Sequence, residues 1–181
     1  MQITLRHATL DDVPALATVI EEAVMVLQAA DYTDDQRRGA LGAVFGVDTQ
    51  LIKDGTYLVA EAPGVIVGCG GWSRRKTLFG GDGFSGRVDE ELDPARDAAR
   101  IRAFFVKPGY ERRGIGRRIL EACEAAAVGA GFQEFELAST LTGIALYSAE
   151  GYEPHERHEV PLPNGLTLPV VRMTKRIEQP I

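Results

Sequence analysis

Residues 110–120 read YERRGIGRRIL, two glycines one residue apart among four arginines, followed at once by apolar residues at helical spacing. Glycine lets an anion approach the main chain closely, and a helix start offers unpaired N–H groups at the positive end of its dipole. The chemistry such a stretch could do is phosphate binding. Two familiar nucleotide loops fail on spacing. A dinucleotide fingerprint needs a third Gly or Ala where the helix packs on its strand, and that place holds Ile119. The glycines also stand well beyond the strand end at Val106, after Pro108-Gly109. No Lys-Ser or Lys-Thr follows them, so the Walker loop is absent as well. On these residues alone, a different phosphate-binding loop and a solvated arginine turn both remain open.

Local charge is consistent with a polyanionic ligand and equally with a solvated arginine cluster. Seven basic residues from Arg100 to Arg118 (Arg100, Arg102, Lys107, Arg112, Arg113, Arg117 and Arg118) meet one acid, Glu111, in a chain of net charge −6. That overall balance argues against a nucleic-acid partner, which needs a basic surface. It is compatible with a cationic amine substrate. With 45% hydrophobic and 25% charged residues over 181 positions, the composition suits one globular domain with a sizeable core. Cys69 and Cys123, the only cysteines, match no metal or redox spacing and read as small buried hydrophobes. MQITLRHATL lacks the apolar core of a signal peptide, and no apolar run approaches a bilayer span. The expected setting is cytosolic, with no membrane partner and no metal.

The surrounding elements must position these residues. QITLRH (2–7) alternates as a strand. Thr9 and Asp12 form a capping box with Pro14 in the turn that follows, opening a helix expected to reach about Ala30. Thr33 and Gln36 repeat the pattern and predict a second helix to about Leu51. TYLVAEA (56–62) and VIVGCGGW (65–72) predict a hairpin turning at Pro63-Gly64. Residues 73–97, with GGDGFSG and DEELD, read as a long polar loop, either functional or a disordered insert. ARIRAFFV (99–106) is a strong strand, Gly114 to about Ala130 an alanine-rich helix, FQEFELAS (132–139) a strand, and Thr142–Glu150 a short helix closed by Gly151. VPLPNGLTLPVVRM (160–173) centres on Asn164-Gly165, a hairpin signal, with its prolines restricting those strands to edges or irregular pairing. The order predicts one α/β domain over residues 1–181 with a mixed sheet.

The stretch Ala99–Tyr152 resembles the GCN5-related N-acetyltransferase (GNAT) family in three pieces taken in order. IRAFFVKPGY looks like the family's central strand, RRGIGRRIL like its acetyl-CoA pyrophosphate loop, and GIALYSAEGY like its tyrosine-bearing helix. Two places depart from the pattern: Glu111 stands where the family prefers Gln or Arg, and Thr140 where many members carry Asn. The resemblance implies an α/β (α+β) fold, with a mixed, mostly antiparallel sheet of six to seven strands flanked by about four helices. It implies a cofactor-binding core over about 99–152, with Phe104, Phe105, Val106, Arg112, Arg113, Gly114, Ile115, Gly116, Arg117 and Thr140 against acetyl-CoA.

The activity it implies is direct transfer of acetyl from acetyl-CoA to a primary amine, small-molecule or peptide. A backbone N–H near Phe105 or Val106 would hold the oxyanion, and Tyr147 would act as general acid on the departing thiolate. No carboxylate lies on ARIRAFFV, so Glu21, Glu22 and Asp31 on the first helices are the candidate bases, with bulk water as the alternative. Trp72 and Arg74 would border the acceptor. Rival readings are a CoA-binding sensor without catalysis and a transferase using a longer acyl-CoA. The terminal hairpin could pair across a homodimer.

Overall fold

β-Branched and aromatic runs become strands in the computed structural model, which describes residues 1–178. They are β1 (Thr4–His7), β2 (Tyr57–Ala62), β3 (Val65–Ser73), β4 (Ala99–Val106), β5 (Glu134–Thr140), β6 (Glu153–Pro161) and β7 (Thr167–Arg176). The helices are α1 (Val13–Glu22), α2 (Asp34–Ala40), α3 (Thr49–Lys53), α4 (Ile115–Gly129) and α5 (Ile144–Ala149). The strands form one seven-stranded sheet in the order β1-β2-β3-β4-β5-β7-β6. Every neighbouring pair is antiparallel except β4–β5. Leu16, Val19 and Ile20 of α1 pack with Val59, Cys69 and Phe105 in one core cluster. Ile119, Leu120, Cys123 and Ala127 of α4 pack with Phe135, Leu137 and Tyr147 in the other.

Several expectations change in detail. The first helix does not stay regular to Ala30: after Glu22 it widens into a π turn over Ala23–Leu27. Such insertions are frequent at functional sites. The second helix, expected to run to Leu51, breaks after Ala40. Gly42 there takes a left-handed φ of 82°, and Asp48 starts α3 afresh by accepting from the N–H groups of Gln50 (3.0 Å) and Leu51 (3.4 Å). Pro169 lies in β7, an interior strand, rather than at an edge. It can, because β5 pairs with β7 only from Val170 onward, so the missing N–H faces no partner on that side. The Pro169 carbonyl accepts the Tyr32 hydroxyl at 2.6 Å.

The segment after β3 is an ordered loop. Arg75 grips Asp54 through two nitrogens (2.8 and 2.9 Å), and Thr77 and Val88 exchange hydrogen bonds across it. Its glycines permit a close approach: a Cβ on Gly83 would meet the Gly42 carbonyl oxygen, and one on Gly81 would stand 2.7 Å from Gly46. The loop therefore closes onto residues 42–47 and brings Leu78, Phe79 and Gly80 towards β4.

The capping box at Thr9 carries a prediction. Asp12 accepts the Thr9 N–H (2.7 Å) and both terminal nitrogens of Arg6 (2.8 Å each). Arg6 first, and the Thr9 N–H after it, hold the Asp12 carboxyl down at about 2 against an ordinary 3.8. A carboxyl that ionises more readily folded than unfolded stabilises above its ordinary value and loses that contribution as pH falls towards its folded value. Replacing Arg6 with Met is expected to lower the urea midpoint at pH 7. The gap from the unmodified protein should shrink between about pH 4 and 2, and a gap constant over that window would remove the pair from acid stability.

Candidate active site

The site starts from an irregularity in β4. Cys69 pairs with Phe105 and Gly71 with Arg102, so two steps along β3 match three along β4. Ala103 absorbs the extra residue with a φ of 59°, a β-bulge of the kind that redirects side chains at functional sites. The Ala103 carbonyl accepts from the buried Tyr57 hydroxyl at 3.1 Å, which fixes the bulge. On its other side β4 pairs with β5 only at Ala99–Phe135 and Arg100–Glu136. Past that point the two strands part, leaving β5-facing main-chain groups of β4 with no ladder partner and a space between the strands.

That space holds a cavity of about 150 Å³, lined by Phe45, Phe79, Arg102, Phe105, Ser139 and Tyr147 among others. A wider cleft of about 710 Å³ adjoins it towards the start of α4. The two share Phe104, Phe105, Val106, Gly116, Thr140, Gly143 and Leu146 as walls. Ala23, Leu27 and Gln28, from the π turn and its end, close the cleft on the α1 side.

The glycine turn forms the cleft's far end. Arg112 and Gly114 take left-handed φ values of 60° and 77°. The first hydrogen bond of α4 runs from the Arg118 N–H to the Gly114 carbonyl. The N–H groups of Ile115, Gly116 and Arg117 are thus without partners inside the helix. Glu111 has a structural use here, because its carboxylate accepts the Gly109 N–H at 2.6 Å and pins the turn. Of the residues expected against a cofactor, Phe104, Phe105, Val106, Arg112, Gly114, Ile115, Gly116, Arg117 and Thr140 all line the cleft. Arg113 does not: its guanidinium lies over the Tyr110 ring at 5.3 Å.

The basic cluster is less free than its sequence density suggests. Arg100 pairs with Glu136 (2.7 Å), Arg102 with Asp48 (2.7 Å), Lys107 with Glu22 (2.6 Å) and Arg117 with Glu121 (3.0 Å) and Glu150 (3.4 Å). Among the described residues, Arg112, Arg113 and Arg118 form no ion pair, and Arg118 donates to the Ile3 carbonyl at 3.0 Å.

Tyr147 is 8% exposed, its ring edge-on to Phe104 (6.2 Å) and Tyr152 (5.7 Å). Its hydroxyl makes no hydrogen bond among the described residues. Burial first, and Cys123 after it, push the phenol pKa up, so the group is a protonated donor at neutral pH. Thr140 accepts the Gly143 N–H at 3.1 Å, which leaves its hydroxyl proton to donate into the cleft. Both cysteines are free and buried, and burial raises Cys69 to about 11, so neither is a ready nucleophile.

Besides Arg113, five residues suggested by sequence for the base or the acceptor are not brought to either space. Glu21, Glu22 and Asp31 line neither one. Glu22 is taken up by Lys107, and Asp31 accepts the Thr142 hydroxyl at 2.7 Å. Trp72 is buried against Phe132 on the α4 face at 6.0 Å, with Arg74 over its ring at 5.4 Å. The alternation of β3 turns Trp72 to the face opposite Cys69 and Phe105. Sequence reasoning missed Gln28, whose Oε1 is buried without a partner, and Arg102, whose Nε is likewise. An arginine alternating in a strand carries no signal of what it will face. An acid followed by helix formers, as at Asp48-Thr49, was the one visible hint of its partner.

The acetyltransferase (GNAT) domain model matches residues 53–154, which contain the β4 bulge, the glycine turn and α5. The chain belongs to the GNAT family. No curated protein sequence matches it, but solved GNAT structures share its fold. A GCN5-related N-acetyltransferase from Rhodopseudomonas palustris is 22% identical, with 98% of this chain and 97% of that chain covered and a TM-score of 0.72. PaiA N-acetyltransferase from Thermoplasma acidophilum, in complex with coenzyme A, is 15% identical over 97% and 99% of the chains, with a TM-score of 0.65. Ribosomal-protein-alanine N-acetyltransferase from Brucella melitensis is 23% identical over 96% and 99%, with a TM-score of 0.62. These matches extend the GNAT fold to the N-terminal helices, outside the residues of the family model. Among the described residues no cluster of three or more His, Cys, Asp or Glu is placed to hold a metal, and no helix is long and apolar enough to cross a membrane.

Proposed function

We propose that this GNAT chain transfers the acetyl group of acetyl-CoA to a primary amine by direct attack in a ternary complex. The observation that carries this is the junction of cleft and cavity at the β4 bulge, with Tyr147 on the cavity wall. In this reading the pyrophosphate lies on the N–H groups of Ile115, Gly116 and Arg117, with Arg112 beside it. The pantetheine arm runs along the unpaired side of β4, as an added strand would. The orphaned Gln28 Oε1 and the Thr140 hydroxyl offer an acceptor and a donor to its amides.

The amine attacks the thioester carbon, and a β4 N–H near Phe105 or Val106 meets the developing oxyanion. As the C–N bond forms and the C–S bond breaks, the Tyr147 phenol hydrogen-bonds the leaving sulfur and supplies its proton. The ammonium proton leaves to solvent and restores the phenol. Water is assigned the role of base, because no carboxylate lines the cavity.

Calorimetry with acetyl-CoA, followed by free-thiol release across an amine panel, tests the reading. Saturable binding that weakens as ionic strength rises and turnover on some amine are expected. Binding without turnover would leave a cofactor-binding module, and absence of binding would end the proposal. Turnover only with longer acyl-CoA would move it to another acyl donor.

A further inference from the structure

Arg102 is 4% exposed and stands on the cavity wall beside the bulge. Its Nη2 reaches the wholly buried Asp48 (2.7 Å) and the Gly80 carbonyl. Its Nε is buried with no partner. Asp48 is also held by Arg87, at 3.2 and 3.3 Å. Two guanidiniums therefore share one buried carboxylate; Asp89, 3.5 Å from Arg87, is exposed. Arg102 thus shares its one carboxylate with a second guanidinium and keeps a buried donor unmet, which is costly away from water.

The rest of the cavity narrows the ligand. Val44, Phe45, Leu78 and Phe79 give it apolar walls, and none of the lining residues is acidic. Its volume of about 150 Å³ matches a body about the size of benzene. A polyamine or aminoglycoside would bring a second cation to an already positive wall.

We propose that the cavity selects a small acceptor carrying both an amine and a carboxylate, an amino acid with an apolar side chain, whose carboxylate is held by Arg102. This rests on the N-acetyltransferase reading above. The carboxylate accepts from the guanidinium's unmet donor, while Tyr147 and Phe105, which line the same cavity, mark where the amine meets the thioester. The overall acidity of the chain, which pointed to cationic amines, does not describe this interior.

The test compares three acceptors of one side chain: the amino acid, its amide, and the amine lacking the carboxylate. Thiol release should give the amino acid a kcat/KM at least about tenfold above the other two. Arg102→Gln should remove most of that preference, roughly 30-fold on the amino acid and less than about threefold on the amide. Its acetyl-CoA affinity and unfolding midpoint report whether the variant is folded. Equal or better use of the amide by the unmodified protein overturns the inference without touching the transferase reading. If no acceptor turns over, the transferase reading fails, and calorimetry of the unmodified protein with the amino acid and its amide decides the carboxylate site separately. Preference for the acid keeps the site, and equal or no binding removes it.

Discussion

Replacing Tyr147 with Phe is expected to lower kcat about 100-fold while leaving acetyl-CoA affinity within about twofold. The ring is clamped edge-on between Phe104 and Tyr152, and Phe keeps those contacts, so packing is preserved. What disappears is one O–H that makes no hydrogen bond within the described protein and sits on the wall of the cavity. Burial raises its pKa, which keeps the proton in place at neutral pH but also makes full transfer to a thiolate uphill. The larger contribution is then a hydrogen bond to sulfur as charge develops there, made in the transition state and absent from the ground state. Such a loss falls on kcat and kcat/KM alike. A kcat unchanged by the substitution removes Tyr147 from the chemistry, and a fall in cofactor affinity of the same size recasts it as a binding residue.

Asp48→Ala is expected to cost about 4 kcal/mol of stability, most of the margin of a domain at the low end of natural stability. Three losses coincide at this fully buried side chain. Arg102 and Arg87 lose their shared counter-charge, α3 loses the acceptor for its first N–H groups, and the loop closing onto residues 42–47 loses one anchor. Asp48→Asn separates these effects, since the amide can still cap α3 but brings no charge. Urea unfolding of both variants measures the difference. If Asn costs nearly as much as Ala, the ion cluster dominates, whereas a loss below about 1 kcal/mol for Ala would mean that water reaches the arginines and compensates them.

Local chemistry made much of the molecule readable. The capping boxes at Thr9 and Thr33, the Pro63-Gly64 and Asn164-Gly165 turns, and the alternation in ARIRAFFV each depend on neighbours a few residues away. The corresponding helices start where expected, and the hairpins and strand form as expected. The cleft-lining set from Phe104 to Arg117 was legible for a related reason: one strand, one turn and one helix start are contiguous in the chain, so their order nearly determines their geometry. The break at Gly42, the π turn at Ala23 and the interior Pro169 were not legible. Each reflects tertiary packing overriding a local preference.

The acceptor side divides the same way. A place at a strand end suggests Trp72 and Arg74 for it, and a place on helices expected to border the acceptor suggests Glu21, Glu22 and Asp31. Whether a strand residue faces the cleft or the opposite core depends on register, which the bulge at Ala103 shifts. Whether a carboxylate is free depends on which cation reaches it, and Lys107 is 85 positions from Glu22. Sequence by itself determined the family and the glycine turn at the start of α4, and placed Tyr147 on the short helix after β5, because those features are written in short contiguous motifs whose backbone chemistry is local. Only the tertiary structure decided that Asp48, Arg87 and Arg102 meet in the interior and leave a guanidinium partly unmet beside the cavity. Such a cluster arises when a loop, a helix start and the central strand converge, and charge in a sequence carries no record of how deeply it will be buried or what it will face.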